Sequence, residues 1–133
     1  VIPYHILYIL ECNGNYQAWI GYKETTDIEK KISKMDRYYH TNWLEETELI
    51  VKLEGLNLDE VYENLVRQIA GVKLQSDNST ETLKQSVERD KKIETLQKQI
   101  SILQNKIRKE KQLNKQIEMN TELKKLRSVL EKL

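Results

Sequence analysis

The sequence contains one cysteine, one proline, four glycines and no phenylalanine in 133 residues, and each shortage removes a class of structure. A lone thiol, Cys12, closes no internal disulfide and builds no cysteine metal site, so the chain suits a reducing, cytoplasmic setting. The longest apolar stretch, residues 1–10, is interrupted by Pro3, Tyr4 and His5. It falls far short of the ~20 residues that a membrane span needs, and without a charged leading region it is no signal peptide, so no membrane partner is expected. Because the chain opens on Val1 in strand-like sequence, its natural N-terminus is expected to be missing.

Catalytic patterns are equally scarce. There is no glycine-rich phosphate loop, no Walker sequence and no dinucleotide fingerprint, so no cofactor is expected. His5 and His40 are the only histidines, and neither has a second ligand at metal spacing, which assigns them structural roles. A nucleophilic Cys12 would need one of them as its base. Glu29-Lys30-Lys31 has the acid-x-lysine spacing of a nuclease site but lacks an upstream acidic partner. No catalytic, cofactor-binding or metal-ligating residue is therefore assigned.

The glycines, the proline and all nine aromatics lie within the first 71 residues, the aromatics ending at Tyr62. Beyond them Lys, Glu, Gln, Leu and Ile dominate, a mixture that favours long helices. Residues 1–73 carry 8 Lys/Arg against 12 Asp/Glu, and residues 74–133 carry 14 against 9, giving −4 and +5. That asymmetry would attract an acidic partner to the tail, although a solvated helix surface with interspersed charges accounts for it more simply.

Residues 4–11 read as a buried strand because apolar and aromatic side chains leave no solvent face. Asn13-Gly14 supplies a tight turn, and residues 16–23 alternate Tyr16, Ala18, Ile20, Tyr22 against Gln17, Trp19, Gly21, Lys23, completing an antiparallel hairpin. Residues 26–36 fit either a helix capped by Thr26, with Ile28, Ile32 and Met35 inward, or a long charged hairpin arm. Strands are expected over 37–43 and over 48–54, the latter with Leu49, Val51 and Leu53 on one face. Tyr38, Tyr39 and Trp43, near Arg37 and His40, are explained by core packing, with base stacking on a sheet face as the alternative. A helix follows, capped by Asn57 with Glu60, carrying Leu58, Val61, Leu65, Ile69 and Val72 inward and ending at Gly71.

In the tail Ile93, Leu96, Ile100, Leu103 and Ile107 step by three and four residues, the spacing of a coiled-coil seam. Met119, Leu123, Leu126, Leu130 and Leu133 repeat it in another phase, because 30 residues separate Ile93 from Leu123 and the stripe turns by roughly 120° over that length. Either a straight helix with two faces results, or a break in residues 108–115 folds the blocks into an antiparallel hairpin. Ser79 or Thr80 would cap the start. Lys106, Arg108, Lys109, Lys111 and Lys115 form the candidate nucleic-acid footprint.

The stretch TNWLEETELIVKLEGLNLDEVYENLVRQIA, with IPYHILYIL, AWIGYKE and IRKEKQLNKQIEMNTELKKL, resembles a bacterial and archaeal family catalogued as domain of unknown function 4391. GLNLDEVYENLVRQI carries most of the likeness. The resemblance implies that this chain is the C-terminal part of a longer protein, and the company of helicases and DNA methyltransferases in restriction-like defence loci implies a DNA-related accessory role. It implies no activity that transfers to numbered residues.

The sequence thus predicts an α+β fold: a small antiparallel sheet with a packed helix over 1–73, a connector over 74–80, and over 81–133 a long coiled-coil helix or an antiparallel helical hairpin. The expected function is non-catalytic assembly, with the tail oligomerising with itself or docking on a larger protein subunit. A nucleic-acid-engaging accessory subunit is the alternative. The seam makes one demand on mutation: Leu96, Ile100, Leu103 and Leu126 inward, with Lys98, Asn105 and Lys125 in solvent. Leu103→Asp should lose helicity or association, exceeding the ~2–5 kcal/mol of a leucine truncation because it buries a charge, whereas Lys98→Asp should change little. Circular dichroism with sedimentation compares the two, and equal behaviour would deny the seam.

Overall fold

The computed structural model describes residues 4–27 and 32–133. It is an α+β structure that divides into two compact units, Val1–Asp77 and Asn78–Leu133. The first holds four antiparallel strands, β1 (Leu7–Cys12), β2 (Asn15–Asp27), β3 (Ile32–His40) and the short β4 (Leu44–Glu45), followed by helix α1 (Leu58–Ala70) and a 3-10 turn over Gly71–Leu74. The second holds α2 (Leu83–Lys109) and α3 (Leu113–Glu131).

The β1–β2 hairpin forms because Asn13 and Gly14 accept positive φ, 51° and 78°, the hand that matches strand twist. Cys12 then faces Asn15 and Leu7 faces Ile20. β2 also pairs with β3, and past the end of that ladder with β4. The register slips between Tyr22 and Lys23 and again between Thr25 and Asp27. Strands therefore occupy both ends of the segment for which a helix or an arm was expected. The structure takes the arm, and Ile28 and the Glu29-Lys30-Lys31 triplet lie outside the described residues.

The period-two alternation of β2 places Ala18, Ile20 and Tyr22 on one face, where they are buried with Tyr39 of β3. Val66, Ile69 and Ala70 of α1 and Leu74 after it are the other buried apolar residues among those described in that unit. Burying each large aliphatic among them contributes about 1.5–3 kcal/mol. Asn57 caps α1, its side chain accepting from the Glu60 amide at 2.9 Å, and Gly71 ends it at φ 56°. The inward stripe is not the expected one, since Leu58 and Val72 are 86% and 84% exposed. Helical geometry stops at Ala70, and the tighter turn that follows carries Leu74 inward in place of Val72.

The strand expected over 4–11 forms but is not buried, and the one expected over 48–54 does not form. β1 is an edge strand with exposed Tyr8, Ile9 and Leu10, although its composition reads as buried. Residues 48–54 form no strand. Backbone groups of Lys52 and Glu54 bond instead to α1 side chains: the Gln68 amide accepts from Lys52 N at 2.9 Å and donates to Lys52 O at 2.8 Å, while Asn64 donates to Glu54 O at 2.7 Å. A side-chain carboxamide offers the same donor and acceptor pair as a neighbouring strand, so the alternating pattern finds hydrogen bonds without joining the sheet.

The fold of this unit turns on Tyr62. β1 begins opposite Ile20, and just beyond that point the Tyr62 hydroxyl accepts from Lys23 N at 3.0 Å and donates to Gly21 O at 2.8 Å. One phenol thus ties α1 to β2 through two backbone groups that a longer β1 would have paired. Tyr62→Phe keeps the ring and removes both bonds, and should cost about 1–3 kcal/mol. Urea denaturation measures it, and an unshifted midpoint would mean that water substitutes fully for the hydroxyl.

Candidate interaction surfaces

In the second unit Thr82, rather than Ser79 or Thr80, caps α2. Its hydroxyl accepts from Gln85 N at 3.3 Å and the Gln85 side chain accepts from Thr82 N at 2.9 Å, closing a capping box. Asn78 draws Thr80 into a turn with bonds of 3.1 and 2.7 Å, which leaves that residue unavailable as the cap. Arg89 reaches back to Glu81 through two bonds of 3.1 Å and fixes the first turns.

Residues 110–112 separate α2 from α3, and the two helices pack together as an antiparallel hairpin. No glycine or proline makes this break. Glu110 takes an extended ψ of 130°, its carboxylate accepts from Gln112 N at 2.9 Å, and the Gln116 side chain donates to Glu110 O at 2.6 Å and to Ile107 O at 3.4 Å. Gln116 is the functional contributor that spacing arguments miss, since nothing in its sequence neighbourhood marks it as a turn residue.

Along the seam Leu103 and Leu123 are buried, while Ile93, Leu96, Ile100, Ile107, Met119, Leu126 and Leu130 are half-buried. Lys98 is exposed and pairs with Glu94 at 3.0 Å; Asn105 and Lys125 are exposed as well. Ile102, Leu113, Ile117 and Val129 lie open. Near the open end a shallow groove runs between Lys91, Thr95, Leu96 and Gln99 on α2 and Val129 and Leu133 beyond it. Lys106, Arg108, Lys109, Lys111 and Lys115 all fall at the closed end, every one exposed.

The sheet separates the aromatic cluster near His40. Tyr39 is buried and carries the Arg37 guanidinium 5.4 Å from its ring centroid, whereas Tyr38 and Trp43 are about half exposed. On the face of β2 opposite Ile20, Trp19 stacks on His40 at 4.3 Å, and the buried Gln17 side chain accepts from Trp19 Nε1 at 2.7 Å and donates to Thr41 O at 2.8 Å. Met35 and Tyr38 crowd over Gly21, leaving no room there for a Cβ. Tyr8 and Leu10 extend this face on the edge strand.

The model of the family described as domain of unknown function DUF4391 matches residues 1–130 of the 133. The chain belongs to that family. No curated protein and no solved structure matches it. Among the described residues of this family member, no group of three potential ligands is placed to hold a metal ion, and no helix is long and apolar enough to cross a membrane. Cys12 is exposed at the turn end of β1. His40 stacks on Trp19, and His5 stacks on Tyr62 with centroids 3.6 Å apart.

Burial shifts both rings of this stack. Partial burial, aided by the Lys23 ammonium, lowers the His5 pKa below 6.5 against the opposing pull of Asp59. Burial raises the Tyr62 phenol above 10.0 despite the Lys23 amide, so it keeps the proton it gives to Gly21 O. Because His5 binds its proton less readily in the folded chain, its contribution to stability is present above the unfolded value of 6.5 and is lost as pH falls through the folded value. An NMR titration should find the His5 midpoint below 6.5, with the pH dependence of stability reduced in His5→Phe. A midpoint at or above that value would contradict the partial burial of His5 beside Lys23.

Proposed function

We propose that this chain is a non-catalytic assembly module in the cytoplasm that oligomerises through its helical hairpin, a second copy being the partner. One observation supports the reading above others: two helices do not cover their own apolar surface. Only Leu103 and Leu123 are buried among the nine seam residues, and Ile102, Leu113, Ile117 and Val129 face water. A helical layer with apolar residues on both sides finds its stable arrangement by stacking on another layer, and a second hairpin packed at a shallow angle gives a four-helix bundle with interdigitating leucines and isoleucines. Such a contact is isologous, each hairpin offering the other the same surface.

Sedimentation of the purified chain should show twice the monomer mass of 15.8 kDa or more. Replacing Leu113 and Ile117 together by lysine should return it to the monomer, since desolvating charged groups at a dry interface costs far more than the lost apolar contact. A wild-type chain that stays monomeric up to the ~100 μM range, where even weak specific dimers assemble, would defeat self-association through the hairpin.

A further inference from the structure

The closed end of the hairpin gathers charge of one sign without using it. Residues 106–115 hold Lys106, Arg108, Lys109, Lys111 and Lys115 against a single acid, Glu110, for a net charge of +4. On the shaft of the hairpin some cations are paired with acids, Arg89 with Glu81 and Lys98 with Glu94. Among the described residues none of the five tip cations has an ion pair or a side-chain hydrogen bond. The Glu110 carboxylate is itself turned toward Gln112 N.

Folding does not require these cations. Lys106, Arg108 and Lys109 stand in the last turn of α2, where positive charge favours the helix dipole, yet the carbonyls freed there accept from Gln116 and from Glu110 N instead. Lys111 and Lys115 are placed against the dipole: they flank the N-terminus of α3, whose first turn carries no acid, so their charge opposes the helix that they begin. Five like charges that repel one another, two of them at an unfavourable helix end, indicate an external polyanion.

We propose that the tip of the hairpin binds the phosphate backbone of duplex nucleic acid without reading its sequence. The duplex follows from a second feature of the chain. No aromatic residue occurs after Tyr62, so the tip has no ring on which to stack the bases of a single strand and offers only cations. The two helix ends, joined by a three-residue turn, present those cations as one patch about a helix pair wide, roughly 20 Å, enough to meet several successive phosphates.

The deciding variant is the pair Lys111→Glu and Lys115→Glu, which places acids at a helix N-terminus and should therefore raise the thermal stability of the hairpin while removing duplex binding. Fluorescence anisotropy with the full chain and a labelled 20-base-pair duplex should give binding that weakens with salt, log K falling against log salt with a slope of about −3 to −4 for four neutralised phosphates. The double variant should bind at least about tenfold more weakly at equal salt, and Lys98→Gln, on the paired shaft, should stay within about twofold. A duplex of scrambled sequence should bind equally well. No binding at 50 mM salt would overturn the proposal, as would a double variant that binds like wild type. Preference for phosphatidylserine vesicles over the duplex would overturn it too, because the recognised anion would then be a lipid surface.

Discussion

The Tyr62 hydroxyl carries a constraint on which the first unit depends. A sheet whose outer strand stops early leaves backbone groups on the next strand unpaired, and Gly21 O and Lys23 N are such groups on β2. Burying them unsatisfied would cost more than the packing of a single side chain returns. Because the phenol that satisfies them projects from α1, the position and rotation of that helix follow from the sheet's need, and Val66, Ile69 and Ala70 come to lie in the core with Ile20 and Tyr39. His5 then stacks on the same ring and ties down the segment that leads into β1.

Side-chain amides do the work of missing strands at two further places. Gln68 pairs with both backbone groups of Lys52, and Gln17 links Trp19 to Thr41 at the end of the β2–β3 ladder, where Thr41 also bonds Ala18 through its amide and hydroxyl. Gln116 does the same for the α2–α3 turn. A carboxamide is uncharged, reaches several ångströms and combines donor with acceptor, so it replaces a backbone partner without the desolvation cost of an ion. The result is a small sheet with open edges and a hairpin closed without glycine, each carrying more apolar surface than it covers.

Much of the fold was legible in local pattern. Asn13-Gly14, the Asn57 cap, the Gly71 stop and the alternation of β2 all state their conformation through chemistry confined to a few neighbouring residues. The three-and-four spacing in the tail likewise states which helix face is apolar, and Leu103 and Leu123 are its buried members. Where reading failed, the partner was distant. Residues 48–54 alternate like a strand, yet Gln68 and Asn64 claim their backbone; β1 is apolar enough to be central, yet stands at an edge.

By itself, then, the sequence determined most of the strand-like and helical stretches, where α1 begins and ends, and that the tail carries an apolar stripe at helical spacing. Those properties depend on dihedral preference and periodicity, which act over a turn or two of chain. Only the tertiary structure decided that the tail doubles back at Glu110, that Tyr62 rather than a strand completes β2, and that five cations spread over ten residues converge at one exposed end. Each of these depends on which side chain supplies a hydrogen bond across space, and a backbone amide accepts a phenol, a carboxamide or another strand on nearly equal terms.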